Sequence, residues 1–393
     1  MDTPLTLKQR LQTVDPKKKF FFFKQAQHFC SVPWNHYEIF SNGNIKTCSK
    51  GKPLGNINQD SIDNILNSNL LISIKQDLLE DKLNENCTGC HRLTTDGEHF
   101  DLRNHYNPMF KTFDIDYTNT RAFELHGIDL HWNNTCNFKC VYCNPYQSSL
   151  IAEEQKITLK KPKPENIDAV IDMIVKNQYD MKEIYLSGGE PLLIKYNAKL
   201  LAQIENKDLS LRINSNISVA TDSNAVFAEV KKFNNVLWTI SAEASGNRFN
   251  YIRNGGDWNI FLKNLATIKQ LNHGIRLNAV FFIGSLASIF DTIEYFTVTH
   301  NITDITVNQL DMHPYLLVRN APEEVKMAAL ARLQELLNSN LIVDKSNSYY
   351  NILRCQKELN LPVEDSAGYI EYFNHLDQLR GTNWQEVFTE LVK

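Results

Sequence analysis

The stretch NTCNFKCVYCNP, residues 134–145, places three cysteines at the spacing C-x3-C-x2-C, and they are Cys136, Cys140 and Cys143. Three thiolates do not complete a four-coordinate structural zinc site, and a 4Fe–4S cluster needs one ligand for each iron. A cluster bound by this loop would therefore keep one iron open to a small molecule that carries an amine and a carboxylate. A zinc site that borrows a distant fourth ligand is the alternative interpretation.

The segments around this cysteine loop predict an α/β fold, because short apolar runs alternate with longer amphipathic stretches from about residue 121. The strand candidates are 125–132, 182–187, 209–214, 236–241, 276–282 and 304–309. The helix candidates are 164–178, 195–206, 222–233, 258–272, 286–299 and 322–339. Six strand-then-helix units favour a partial (β/α)6 TIM-like barrel, whose active site lies on the loops after the strands. A doubly wound open sheet is the main rival.

The other parts of the 393-residue chain have a different pattern. We expect an N-terminal α+β module over 1–110, the barrel over 111–345 and a helical tail over 346–393. In the module, Asn42-Gly43 lies between two strand-like runs and predicts a hairpin, which a helix follows at about 61–80. The stretch KKKFFFFK, residues 17–24, is interpreted as a short buried strand, with a membrane-binding foot as the alternative.

Composition and charge exclude several classes of function. Lys plus Arg (41) nearly balances Asp plus Glu (45), so a net charge of −4 gives no basic surface for general nucleic-acid binding. No apolar run approaches the ~20 residues that span a bilayer, and the N-terminal residues carry charges where a signal peptide is apolar. We therefore expect a cytoplasmic protein, in which clustered cysteines more often bind metal or do redox work.

A second motif, LSGGEPLL at 186–193, ends the second predicted strand. Its Gly188 and Gly189 allow a close approach of the backbone, and Glu190 offers acceptors to an ammonium group. The cysteine spacing, Tyr142 before the last cysteine and this Gly-Gly-Glu-Pro turn together resemble the radical S-adenosylmethionine (SAM) enzymes. The resemblance covers about residues 120–310, and it implies that the turn, Pro191 included, contacts the methionyl amine of SAM.

The ends of later strands extend this resemblance. They imply the further SAM-binding residues Asn214, Ser215, Asn216, Ser241, Glu243 and Arg253. The first three stand where the family often has a Thr-Asn-Gly-like turn, here without the glycine, and Glu243 stands where relatives often have Asp. Ser241 would face the ribose, and the planar fork of Arg253 would hold the SAM carboxylate.

Four upstream cysteines form a separate group, Cys30, Cys48, Cys87 and Cys90, and we expect the hairpin to bring the first two together. Four thiolates supply all the protein ligands that either a structural zinc site or an iron–sulfur cluster needs. The hairpin, the Gly-Asn-Ile at 55–57 and the final C-x2-C resemble the SPASM/twitch auxiliary-cluster module of radical SAM enzymes. The cysteine count is that of the one-cluster twitch form, although the module precedes the barrel here. The resemblance favours an auxiliary 4Fe–4S cluster over zinc.

The resemblance implies an enzyme that cleaves SAM reductively at its 4Fe–4S cluster to a 5′-deoxyadenosyl radical. That radical would abstract a hydrogen atom from a peptide, a sugar-containing metabolite or another small molecule, for oxidation or another C–H modification. A flavodoxin- or ferredoxin-like electron donor would be its partner. A zinc-binding scaffold or substrate-recognition protein without SAM chemistry is the alternative from another class. An epimerase with Cys355 as hydrogen donor is a further one, although a lone cysteine is most often a small buried hydrophobe.

Overall fold

The computed structural model describes residues 26–90, 102–109, 115–310 and 312–392. The stretch 17–24, predicted as a buried strand, lies outside these residues. The chain forms two compact units. The first takes in residues from 1–133, 159–188 and 202–211, and the second takes in residues from 134–158, 189–201 and 212–393.

The strands of the described residues alternate with helices along most of the chain. The strands are β1 His36–Ile39, β2 Asn44–Lys46, β3 Gly55–Asn56, β4 Gly127–Leu130, β5 Glu183–Leu186, β6 Ser210–Ser215, β7 Val236–Ser241, β8 Gly274–Phe281 and β9 Asp304–Gln309. The helices up to β7 are α1 Val32–Asn35, α2 Ile62–Leu66, α3 Asn69–Leu79, α4 Leu102–Met109, α5 Ser149–Glu154, α6 Pro164–Asn177, α7 Lys195–Gln203 and α8 Ala225–Val230. The later helices are α9 Gly246–Ile252, α10 Trp258–Lys269, α11 Ile289–His300, α12 Glu323–Asn338, α13 Asn347–Leu359, α14 Gly368–Arg380 and α15 Trp384–Val387.

The first unit contains the predicted hairpin, and its strands run in the order β3-β2-β1-β4-β5. Strands β1 and β2 pair antiparallel, and the turn between them ends at Gly43, whose φ of +87° favours glycine. The N–H of Gly43 donates to Phe40 O at 2.8 Å. Strand β1 also pairs parallel with β4, which pairs parallel with β5. The predicted hairpin at Asn42-Gly43 is confirmed.

The second unit contains most of β6 and the strands β7, β8 and β9, in that order, and β7–β8 and β8–β9 are parallel pairs. Within each unit, the strands from β4 onward follow chain order without the reversal that a doubly wound sheet has. Each of the six predicted strand-then-helix units is present, as is the helical tail. The predicted fold class, α/β of the partial (β/α)6 type, is confirmed.

The strands of the second unit bury one side and carry polar residues on the other. Ile213, Ile240 and Leu277 are fully buried, whereas Asn214, Ser241 and Asn278 occupy the alternate positions of the same strands. Helices cover the apolar side, as α13 does where it packs on β9. No helix among the described residues is long and apolar enough to span a bilayer.

Candidate active site

The cysteine loop, residues 134–145, belongs to the second unit, and its three cysteines are partly buried and form no disulfide. Burial, and then the neighbouring Cys140 thiol, raises the pKa of Cys136 and that of Cys143, the latter to about 12. These shifts mean that the three sulfur atoms are close enough to repel one another as thiolates. A bound metal cluster removes that repulsion, so the donor set fits an iron–sulfur cluster.

The backbone of the loop is held by the last residue of α9 and the segment that follows it. Lys139 N–H donates to Asn254 O at 2.7 Å, and Val141 N–H donates to Ile252 O at 2.9 Å. Gly255 has a φ of +99°, and a Cβ there would lie 2.8 Å from Asn137 O. Glycine is therefore required at 255 both for its backbone conformation and for its close contact with the loop.

The Gly-Gly-Glu-Pro turn packs directly on the start of the cysteine loop. Gly189 has a φ of +53°, and a Cβ on it would lie 2.2 Å from Thr135 O. The N–H of Glu190 donates to the same Thr135 O at 2.8 Å. Gly188 has a φ of +75° and approaches the backbone of His131 within its own unit. The two glycines thus allow close packing of protein backbone, and the contact of the turn with the methionyl amine of SAM stays a prediction.

Glu190 is fully buried, and its carboxylate accepts three hydrogen bonds from the protein. The donors are Ser215 Oγ at 2.7 Å, Asn216 N–H at 2.7 Å and Leu192 N–H at 3.0 Å. Burial raises the pKa of Glu190 to about 7, and these donors oppose that shift by favouring the charged form. The structure therefore uses Glu190 to fix the turn to the end of β6, and the predicted ammonium contact has to share its oxygens with these donors.

The residues after β6 hold the cysteine loop through side chains. Asn216 Nδ2 donates to Asn137 Oδ1 at 3.1 Å, and Asn137 Nδ2 donates to Ser218 Oγ at 2.9 Å. Ile217 has a φ of +51°, a left-handed conformation that β-branched residues rarely adopt. Asn264 Nδ2 donates to Ile217 O at 2.7 Å and helps to hold this turn. Sequence reasoning did not identify this left-handed isoleucine, which directly follows the turn at Asn214, Ser215 and Asn216.

Glu243 and Arg253 form a buried ion pair beside the loop, with 0% and 5% of each residue exposed. Arg253 Nε and Nη2 donate to the Glu243 carboxylate at 3.0 and 2.5 Å, and Tyr142 Oη donates to it at 2.8 Å. The guanidinium of Arg253, which is predicted to hold the SAM carboxylate, therefore donates to Glu243 in this structure. Arg253 Nη1 lies 4.0 Å from Cys140 Sγ. Burial raises the pKa of Cys140, and the Arg253 charge opposes that shift.

The other predicted SAM-binding residues of this unit lie at the ends of neighbouring strands. Ser241 Oγ donates to Asn214 Oδ1 at 3.4 Å, and this hydrogen bond connects the end of β7 with the end of β6. Pro191 begins a short 3-10 turn after Glu190, and its carbonyl accepts from Asn197 Nδ2 at 2.9 Å. The structure brings the predicted residues of the second unit to one group of loops, and their roles toward SAM stay predictions.

The helical tail contacts the cysteine loop, which the sequence did not indicate. On α14, Tyr372 Oη donates to Val141 O at 2.8 Å, and Arg380 Nη1 donates to Lys139 O at 2.9 Å. Arg380 also binds both carboxylate oxygens of Glu154, at 3.1 and 2.7 Å. These residues are more than 220 positions apart in the chain, so no local pattern could reveal their pairing. The tail is part of the support of the loop.

We expect Arg380→Gln to loosen the cysteine loop without unfolding the second unit. The change removes a bidentate ion pair that is 4% and 11% exposed, and it leaves Glu154 with Lys139 at 3.0 Å. A charged hydrogen bond of this kind contributes about 1.5–3 kcal/mol. Hydrogen exchange of residues 136–143 should become faster, and cluster content should fall. The control is Lys357→Gln, an exposed cation on α13; equal exchange in both variants would contradict the assignment.

Cys355, the hydrogen-donor candidate, is fully buried in α13. Its sulfur accepts from Gln309 Nε2 at 3.6 Å and donates to Asn351 O at 3.9 Å. Burial raises the pKa of this thiol to about 12. The contacts are those of a buried thiol in the packing of α13 on β9, and they give the hydrogen-donor hypothesis no support.

The four upstream cysteines belong to the first unit and line one small cavity, together with residues that include His28, Lys50 and Arg103. Cys30 and Cys48 also pack against Val32 and Tyr106. Burial, and then the charge of Cys87, raises the pKa of Cys30, so these thiols also repel one another when ionised. Four such donors around one cavity fit a cluster or zinc with no open position.

Two family models match the chain. Residues 131–293 match the Radical SAM superfamily, and residues 30–91 match an iron–sulfur cluster-binding domain, SPASM. The radical SAM cyclopropyl synthase TigE of Paramaledivibacter caminithermalis is 29% identical over 210 residues, which are 49% of this chain and 42% of that protein. A GTP 3′,8-cyclase of Clostridium botulinum is 30% identical over 175 residues, 41% of this chain and 50% of that one.

The chain spans about half the length of these curated relatives. Among solved structures, anSMEcpe with bound AdoMet has a TM-score of 0.41 at 13% identity, over 55% of this chain and 61% of that one. Streptococcus suis SuiB bound to S-adenosylmethionine has a TM-score of 0.42 at 12% identity, over 68% and 57%. The two family matches coincide with the cysteine loop and the upstream cysteines. The chain therefore belongs to the radical SAM superfamily and carries an iron–sulfur cluster-binding SPASM domain at its N-terminal end.

Proposed function

We propose that the chain is a radical SAM enzyme that acts on a C–H bond of a peptide or a sugar-containing small molecule. The observation that carries this proposal is the arrangement of the cysteine loop. Three partly buried cysteines lie on one loop, and a buried guanidinium lies 4.0 Å from the sulfur of one of them. Three thiolates leave one iron of a 4Fe–4S cluster open, and the upstream cysteines supply four for an auxiliary 4Fe–4S cluster.

A 4Fe–4S cluster at the loop would supply the electron for reductive cleavage of SAM to methionine and a 5′-deoxyadenosyl radical. The protein would hold the loop rigid through Gly189, Asn216 and Arg380. Arg253 would add a positive charge beside Cys140, which favours the reduced cluster because a nearby cation stabilises added negative charge. Nearby polar groups at the ends of β6 and β7, Asn214 and Ser241 among them, would orient the nucleoside of SAM.

An auxiliary cluster at the upstream cysteines would either accept an electron from the substrate radical or stabilise the module. Four thiol donors leave no iron open for direct substrate binding, which favours these two roles. A flavodoxin- or ferredoxin-like protein would deliver the first electron. The substrate class, including the peptide, is part of the proposal. The two curated relatives are enzymes of different reactions, one a cyclopropyl synthase and one a GTP 3′,8-cyclase.

The test is anaerobic incubation of cluster-loaded protein with dithionite and SAM, with 5′-deoxyadenosine measured by mass spectrometry. We expect 5′-deoxyadenosine in the presence of SAM and reductant and none when either is omitted. Candidate peptides and sugar-containing metabolites are then scored for stimulation of this product and for their own change in mass. A protein that holds zinc instead of iron and sulfide, and forms no 5′-deoxyadenosine, would support the scaffold alternative.

A further inference from the structure

A second group of potential ligands lies in the first unit and contains none of the eight cysteines, although Glu38 is near Cys48. Glu38 on β1 and Asp129 on β4 are register partners in the parallel pair, and they are 3% and 5% exposed. His131 follows Asp129 by two residues. One ligand atom from each of these three side chains lies within 4.8 Å of the other two. Strand pairing thus brings two carboxylates and an imidazole to one point.

One carboxylate oxygen of this group lacks a hydrogen-bond donor among the described residues. Glu38 Oε2 is buried and accepts no hydrogen bond from any residue that the structure describes. The backbone N–H of Ser49 donates to the same carboxylate. A buried carboxylate oxygen without a donor costs free energy, and such atoms in native proteins usually face a water or an ion. The position of Glu38 Oε2 beside Asp129 and His131 therefore points to a cation between them.

Two basic side chains, His36 and Lys46, lie close enough to favour the charged form of Glu38, but each contacts another group. His36 Nδ1 lies 3.0 Å from Thr47 O, and its Nε2 lies 3.2 Å from Asp129 Oδ1. Both contacts are satisfied when both ring nitrogens donate, so His36 as an imidazolium offsets Asp129. Lys46 is opposite Glu38 in the hairpin register, but its amine lies over the Phe40 ring at 4.9 Å.

Each of the three side chains also has an outer hydrogen-bond partner that orients it. Ser49 N–H contacts Glu38, His36 contacts Asp129, and Ser187 Oγ lies 3.0 Å from His131 Nδ1. Where Nδ1–H of His131 donates to Ser187, its Nε2 carries the lone pair that a metal needs. Partners of this kind are typical of metal ligands in proteins, because they fix the ring tautomer and the carboxylate direction.

We propose that Glu38, Asp129 and His131 bind one divalent first-row transition-metal ion, in addition to any iron–sulfur clusters. Two carboxylate oxygens and an imidazole nitrogen suit Mn²⁺, Fe²⁺ or Zn²⁺, whereas Mg²⁺ and Ca²⁺ favour oxygen ligands alone. A metal with ligand distances of about 2.0–2.2 Å needs only a small contraction of the three side chains. The inference stands on this geometry alone and requires no SAM chemistry.

The probe is Mn(II), added to cluster-loaded protein without SAM and followed by its free-ion EPR signal at room temperature. Thiolate sites discriminate against Mn(II), so the cysteines interfere little. We expect one Mn(II) per chain, displaced by Zn(II). Glu38→Gln has the same shape but no charge, and it should weaken binding by roughly 100-fold or more, while Ser187→Ala should weaken it about tenfold.

Glu165→Gln is the matched control, because it removes one exposed acidic charge from α6 of the same unit and should bind as the wild type does. Thermal unfolding measured without Mn(II) checks that Glu38→Gln is folded. Addition of Mn(II) should then raise the melting temperature of the wild type and of Glu165→Gln only. The proposed site would be overturned if the wild-type protein takes up no Mn(II), or if Glu38→Gln binds Mn(II) equally well. Glu38 and Asp129 would then share a proton instead of a metal ion.

Discussion

Replacing Cys136, Cys140 and Cys143 together by alanine should abolish formation of 5′-deoxyadenosine and remove about four iron atoms per chain. The reason is chemical: the loop holds three of the four cysteines in the described second unit, and the fourth is the buried Cys355. Without these ligands, SAM has no iron at which it can accept an electron. The measurements are iron and acid-labile sulfide per chain and the yield of 5′-deoxyadenosine.

The triple variant also separates the two groups of cysteines. The upstream cysteines belong to the first unit, so about four iron atoms should remain with them. Cys355→Ala is the matched control for iron content, because it removes a buried thiol outside both groups and should keep all of the iron. Cleavage of SAM by the triple variant would refute the assignment of the loop. Complete loss of iron with loss of fold, seen by circular dichroism, would instead mean that the two groups depend on each other.

Replacing Arg253 by methionine should cost about 3–5 kcal/mol in the free energy of unfolding, because it leaves Glu243 buried without its cation. The two side chains are 6% and 1% exposed, and two hydrogen bonds join them. Among the residues that the structure describes, Tyr142 Oη and Val280 N–H would still donate to the carboxylate. Thermal and urea unfolding of cluster-loaded protein, followed anaerobically by circular dichroism, measures the loss.

A double variant tests whether the uncompensated charge causes this loss. Arg253→Met with Glu243→Gln removes both charges, so it should be more stable than Arg253→Met alone. The matched control is Arg276→Met, whose pair with Asp304 is 28% and 45% exposed and should cost no more than about 1 kcal/mol. If Arg253→Met unfolds like the wild type, or if the double variant is less stable than the single one, the ion pair does not stabilise the site in this way.

The arrangement of strands and helices could be predicted from the sequence because it depends on local patterns. The stretches 236–241 and 304–309 become β7 and β9 with the predicted bounds, and 164–178 becomes α6 within one residue. Each has its own periodicity, which specifies one buried face. The short helices α5 and α9 were not predicted, since six or seven residues give too little periodicity to recognise.

The two groups of cysteines and the place of the Gly-Gly-Glu-Pro turn after a strand could also be inferred, because the spacing of these residues is distinctive. The partners of those residues could not. Arg253 pairs with Glu243 in the structure, and its role toward the SAM carboxylate stays a prediction. The order of charged residues along a sequence does not show which carboxylate a guanidinium pairs with. The contacts of Tyr372 and Arg380 with the loop, and the approach of Glu38 to Asp129, depend on tertiary packing between distant segments.

The EPR spectrum of the dithionite-reduced, cluster-loaded protein, recorded with and without SAM, tests the central claim most directly. If Cys136, Cys140 and Cys143 leave one iron open, SAM should shift the signal of that cluster while the signal of any auxiliary cluster stays unchanged. The shift should be absent in the triple alanine variant. A reduced wild-type protein whose spectrum is unaffected by SAM would contradict the claim that this loop holds a SAM-binding cluster.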